Sequence, residues 1–116
     1  MKEFLGVTKA LSDGNRIKIL KALQHRPMFV SELQLALGIA QPTISKHLKV
    51  LEEAGLVVSH PKGTWVRYHI TKDARNPYIA SILGNLRHWL EKDIEIMELY
   101  KTLQASREHR QREEHT

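Results

Sequence analysis

The chain has 116 residues, the length of one domain, and its 41% hydrophobic and 27% charged residues are ordinary for a globular protein. It contains no cysteine, which excludes disulfides, zinc fingers, iron–sulfur clusters and thiol redox sensing. The net charge of +5 sits before the C-terminal segment: residues 1–26 carry six Lys/Arg against two acids, whereas residues 87–116 carry six against seven, so the body is basic enough to attract a polyanion such as nucleic acid.

The spacing of Phe4, Leu5, Val7 and Leu11 predicts a first helix. Ser12-Asp13-Gly14-Asn15 breaks it and offers caps to a second, which carries Ile17, Ile19, Leu20 and Leu23 and ends before Pro27. Phe29-Val30 reads as a short apolar link, and Ser31 as the N-cap of a third helix containing Leu33, Leu35 and Leu37. Gly38 closes that helix, and a fourth opens at Pro42, with Ile44, Leu48 and Leu51 facing inward. From Leu56 the period becomes two. Leu56–Ser59 and Thr64–Ile70 read as strands joined by a turn at Pro61-Lys62-Gly63. A last helix opens near Asn76-Pro77 with a stripe of Ile79, Ile82, Leu83, Leu86, Leu90, Ile94 and Met97, and Asp93 is a candidate break in it.

This order predicts a mostly α fold with a small β-hairpin, a winged helix-turn-helix of α-α-α-α-β-β-α order. Residues 1–105 form the expected DNA-binding and dimerisation domain, and the polar residues 106–116 an expected frayed tail. The fourth helix offers Gln41, Pro42, Thr43, Ser45, Lys46, His47 and Lys49 outward. Small hydrogen-bonding groups at a helix N-terminus suit base edges, and the lysines suit phosphates. The hairpin adds Lys62, Gly63 and Arg67, with no acid between Glu53 and Asp73. Double-stranded DNA is therefore the expected partner. The terminal helix has more apolar surface than one small core needs, which predicts a homodimer interface of Phe4, Leu5, Leu11, Ile82, Leu86, Trp89, Leu90, Ile96 and Tyr100. The opening Met1-Lys2-Glu3-Phe4 has no signal-peptide run, and no apolar segment approaches the ~20 residues of a membrane span, so a cytoplasmic protein without a membrane partner is expected.

The run Ala10-Leu11-Ser12-Asp13-Gly14-Asn15-Arg16-Ile17 resembles the opening of ArsR/SmtB-type winged-helix repressors. Ser31-Glu32-Leu33 and the continuous stretch Gln41–Val57 resemble the recognition region of that family, Arg67-Tyr68-His69-Ile70 its wing strand, and Trp89–Asp93 the terminal helix of its arsenical-repressor branch. The resemblance implies a homodimer built from the first and last helices, with repression relieved by a ligand, and such a dimer is expected to bind an imperfect palindrome with half-sites about one helical turn apart.

The chain departs from the metal-sensing pattern. Phe29-Val30-Ser31-Glu32 stands where similar members carry Cys-Val-Cys-Asp, so no thiolate site for arsenic or lead exists. Leu86, Leu99 and Tyr100 interrupt the family's second metal site on the last helix. His88 and Glu91, one turn apart, are the remaining weak candidates for zinc or nickel, and otherwise neither metal nor cofactor is expected. No phosphate-binding glycine loop or nucleophile–base set points to an enzyme. A histidine/carboxylate metal sensor and a winged-helix protein-interaction adaptor stay open as alternatives, and the inducing ligand is not legible.

Overall fold

The computed structural model describes residues 1–114, with side chains described through Glu108. Its elements are α1 (Lys2–Ala10), α2 (Gly14–His25), β1 (Met28–Phe29), α3 (Val30–Leu37), α4 (Gln41–Glu53), β2 (Val57–Lys62), β3 (Trp65–Ile70), α5 (Pro77–Leu86) and α6 (Ile94–Glu114). The winged helix-turn-helix order is present, extended by a third short strand and a divided last helix.

Asp13 starts α2 by accepting the backbone N–H groups of Asn15 and Arg16 at 2.8 and 3.2 Å, two of the donors a helix start leaves unpaired. The N-cap of α3 is Phe29 rather than Ser31, which lies exposed inside the first turn. The cap is made in reverse: the Phe29 amide donates to Glu32 Oε1 at 3.0 Å, so the carboxylate three residues on does what the serine was expected to do. Gly38 ends α3 at φ 69°, a left-handed angle that costs a side-chain-bearing residue energy, and lets the chain enter α4 after only residues 38–40. Ile44, Leu48 and Leu51 of α4 are fully buried, each contributing about 1.5–3 kcal/mol by leaving water. They meet Ile19, Leu20, Leu33 and Leu56 in one core.

The link expected at Phe29-Val30 is instead partly a strand. Met28 pairs with Tyr68 and Phe29 with Arg67, giving an antiparallel sheet of order β1-β3-β2. The hairpin closes with Lys62 opposite Trp65, so its turn is Gly63-Thr64, starting two residues beyond the start expected at Pro61.

The single last helix of the sequence reading is corrected to two. α5 stops at Leu86, Leu90 adopts φ 63°, and Asp93 Oδ1 caps α6 by accepting the amides of Glu95 and Ile96. Two residues of α2 hold the end of α5. The fully buried Lys21 donates its ammonium to the Leu86 carbonyl, and Gln24 Nε2 donates to the Leu83 carbonyl at 2.9 Å. These are the carbonyls a helix end leaves without intrahelical partners. The break resets the helical phase. Ile96, Leu99 and Leu103 become the buried stripe of α6, while Ile94 and Met97, expected inward, are 72% and 46% exposed. The tail expected from Ser106 begins inside α6, which continues to Glu114; the side chains beyond Glu108 and residues 115–116 lie outside the described residues.

Candidate nucleic-acid interface

α4 presents Gln41, Pro42, Thr43, Lys46 and Lys49 exposed, with Ser45 half-buried. Gln41 and Ser45, one turn apart, are joined by an Nε2–H···Oγ hydrogen bond of 2.8 Å, which pre-sets both side chains on the outward face. The first turn of α4 contains no acid, so its positive dipole end is uncompensated by the chain itself. Glu52, a later acid of α4, is turned toward the wing, where its Oε2 accepts the Ser59 amide at 3.1 Å. Its charge lies near Tyr68, whose hydroxyl is pushed up in pKa first by burial and then by Glu52.

His47 does not share the outward face. Its side chain is only 14% exposed, with Nδ1 3.3 Å from Arg16 Nη1 and Nε2 3.9 Å from Asp13 Oδ1. Position 47 precedes the buried Leu48 and lies three residues after Ile44, so its side chain leaves α4 at the edge of the buried stripe, where α2 is in reach. Since Arg16 can only donate, Nδ1 accepts in this contact. Arg16 also donates to the carbonyls of Ala10 at 2.7 Å and Lys9 at 3.2 Å, so one guanidinium joins the end of α1, the start of α2 and the middle of α4. Burial alone would raise the Asp13 carboxyl, but the amides of Arg16 and Asn15 and the electrostatic pull of the His47 and Arg16 side chains outweigh it and hold the group below its ordinary value.

On the wing, Lys62 and Gly63 are exposed at the turn, and Gly63 has φ 64°. Arg67 is half-buried, with its guanidinium 5.2 Å from the Phe29 ring centroid, a cation–π contact that anchors its stem to β1. Phe29 also meets Trp65 edge-on at 6.1 Å, and Trp65 is 62% exposed beside the turn. The sequence reading passed over Arg16, Asp13 and Trp65 as parts of this region. Arg16 follows the cap residue Asp13 by three positions, but its partners lie on two other helices, so no local spacing announces them.

The residues expected at a dimer interface divide into two groups. Phe4, Leu5, Trp89 and Leu90 are exposed at 41–54%, and Phe4 stacks edge-on with the exposed Tyr78 at 5.1 Å, joining α1 to α5. Leu11 and Ile82 are half-buried. Leu86 and Ile96 are buried in the protomer and Tyr100 is half-buried; Leu86 continues the Ile79/Leu83 stripe of α5, and the α5–α6 break turns Ile96 and Tyr100 inward. Tyr100 packs its ring on His25 at 4.6 Å and donates its hydroxyl to Glu91 Oε2 at 2.7 Å. Burial, then that hydrogen bond and the Glu91 charge, drive the phenol pKa far upward.

Glu91 thus serves Tyr100 and Lys21, the latter at 3.6 Å, and His88 is exposed. Among the described residues, no three His, Cys, Asp or Glu side chains come together as a metal site. No helix among them is long and apolar enough to cross a membrane.

Residues 13–59, which contain α2, α3, α4 and the start of the wing, match the family model of bacterial regulatory proteins of the arsR family. The chain is similar to the HTH-type transcriptional regulator Rv2034 of Mycobacterium tuberculosis, at 46% identity over 48% of this chain, a stretch that spans about half (52%) of that relative. The arsenic resistance transcriptional regulator ArsR1 of Pseudomonas putida is 34% identical over 75% of this chain and 71% of its own length. Among solved structures, the homodimeric winged helix-turn-helix DNA-binding domain of Mb0332 from Mycobacterium bovis superposes with a TM-score of 0.64 at 26% identity, over 80% of this chain and 82% of that one. With the helix-turn-helix, the wing and the aligned relatives in agreement, the chain belongs to the ArsR family of winged helix-turn-helix DNA-binding transcriptional regulators.

Proposed function

We propose that the protein is a homodimeric repressor that reads an imperfect palindrome by placing α4 of each protomer in successive major grooves. The observation that carries this reading is the division of α4 into two faces. Ile44, Leu48 and Leu51 are spent on the core, while Gln41, Thr43 and Ser45 stand with Lys46 and Lys49 on an outward face at the helix start. In this reading Gln41, Thr43 and Ser45 reach base edges, Pro42 sets the entry of the helix, and Lys46 and Lys49 contact phosphates. Lys62, Gly63 and Arg67 bring the wing to the flanking backbone.

The dimer would join α1 and α5 of two protomers through Phe4, Leu5, Leu11, Ile82, Trp89 and Leu90. The homodimeric Mb0332 domain supports it, as does the exposure of Phe4, Leu5, Trp89 and Leu90. The test is binding to a duplex from the protein's own promoter and to a scrambled duplex across a salt series. Preference for the promoter, with the logarithm of the binding constant falling linearly in log salt, is the expected result. Equal affinity for both duplexes would refute sequence reading. A monomer mass in light scattering at micromolar concentration would refute the dimer.

A further inference from the structure

α6 packs against α2 and α3, and along that junction lies a cleft of about 320 Å3, a size ordinary for small-molecule sites. Part of its lining is apolar. Leu99 of α6 lies in it, and Leu35 of α3 borders it at 77% exposure, exceeded among the large hydrophobic residues described only by Met1.

The remaining lining is negative on balance. Glu95 and Glu98 both line the cleft, and Lys18 offsets only the first, at 3.2 Å. Among the described residues the Glu98 carboxylate has no ion-pair partner. The last turn of α3, ending at Gly38, lines the cleft as well, and a helix C-terminus favours positive charge. In a chain of net charge +5, this is a locally negative pocket with an apolar wall.

We infer that the cleft binds a small organic cation, an amine or amidine on an apolar body, with Glu98 as the charge partner and Leu35 and Leu99 against the apolar part. A bare metal ion fits less well, because the cleft supplies two carboxylates, one already paired, and no third ligand of the same kind. The location also gives the site an output. Gly38 lines the cleft and opens the three-residue turn into α4, so a ligand bridging α6 and Gly38 bears directly on the reading helix. That output rests on the DNA-binding role proposed above; occupancy of the cleft does not.

The probe is benzamidine, with benzamide as the neutral isostere and benzoate as the anionic one, titrated into the full-length 15N-labelled protein. Saturable amide shifts centred on Gly38, Glu98 and Leu99 are expected for benzamidine, with binding about tenfold weaker for the other two. Glu98 is exposed and unpaired, so Glu98→Gln should keep the native melting temperature while weakening benzamidine roughly fivefold. Saturating benzamidine should change promoter-duplex affinity about threefold in the wild type, and the variant should need roughly fivefold more benzamidine for the same change. Absence of saturable shifts, equal binding of all three compounds, or shifts centred elsewhere would overturn the site. Binding without any change in duplex affinity would overturn its output. Failure of the unliganded protein to prefer its promoter would instead refute the DNA-reading proposal and leave the shift data standing.

Discussion

Replacing His47 with alanine separates a base-reading role from a supporting one. The imidazole is 14% exposed, accepts from Arg16 at 3.3 Å and lies 3.9 Å from Asp13. A hydrogen bond to a charged donor is worth about 1.5–3 kcal/mol, and the length and partial exposure of this one place it at the lower end. Loss of ring packing brings the expected destabilisation to about 2 kcal/mol, a fall in melting temperature of roughly 8 °C for a domain of this size. Untethered, α4 should bind every duplex less well, by about tenfold for each 1.4 kcal/mol of its ordering that DNA must then supply. Promoter and scrambled affinities should fall together, leaving their ratio unchanged, whereas Ser45→Ala should lower the ratio and leave the melt intact. Thermal melting by circular dichroism and anisotropy on both duplexes read the two effects separately. A His47→Ala protein with native melting temperature and reduced discrimination would refute the reasoning and return the histidine to the groove.

Lys21→Met should destabilise by about 1–3 kcal/mol in urea titration, because it strips the ammonium from Glu91 and from the Leu86 carbonyl, which keeps only the 3.3 Å amide of Trp89; an unchanged midpoint would mean water replaces the ammonium there. Asp13→Asn keeps a capping oxygen but removes the charge facing Arg16 and His47. Because the native carboxyl is held below its ordinary value of 3.8, its contribution is complete above pH ~4 and fades as pH falls through the lower native value. The stability gap between wild type and variant should therefore be largest near neutrality and close on acidification, and a gap independent of pH would contradict the assignment. Gly55→Ala should cost about 1–3 kcal/mol, since φ is 84° and the new Cβ would meet Arg75 Nε at 2.8 Å and Ile79 Cδ1 at 3.0 Å; a native melt would show that both neighbours yield.

The sequence made the reading helix legible because its signals are local. Ile44, Leu48 and Leu51 recur at helical spacing, Gly38 marks the turn, and Asp13 caps α2 with its own neighbours. β1 escaped notice because two residues carry no periodicity, and Met28-Phe29 becomes a strand only through pairing with residues 67 and 68. The break offered at Asp93 is where α6 is capped, but the end of α5 at Leu86 was hidden for a similar reason. The apolar spacing runs on past Leu86, but Lys21 and Gln24 reach across from α2 to take the terminal carbonyls. Once the phase shifts, the apolar residues of the last third exchange roles, so Leu99 and Ile96 go inside and Ile94 and Met97 go out. His47 is the same lesson at one residue. Its angle on α4 borders both faces, and Arg16, thirty-one residues earlier in the chain, decides between them.

Arg16 also bears on how a dimer could hold two reading helices at a fixed separation. Recognition of a palindrome needs the two α4 helices about one DNA turn apart, so each must be rigid with respect to the element that joins the protomers. α1 carries the exposed Phe4 and Leu5, and its C-terminal carbonyls at Lys9 and Ala10 end on the Arg16 guanidinium. The same group contacts His47 in the middle of α4, and the Arg16 amide is held by Asp13. A planar, multiply donating side chain suits this junction because it fixes direction as well as distance, where a lysine would supply only a point charge. The path from proposed interface to proposed reader is therefore two side chains long, through Arg16 and His47. That shortness argues that their role is to keep the spacing of the half-sites, while Gln41, Thr43 and Ser45 are left to discriminate between bases.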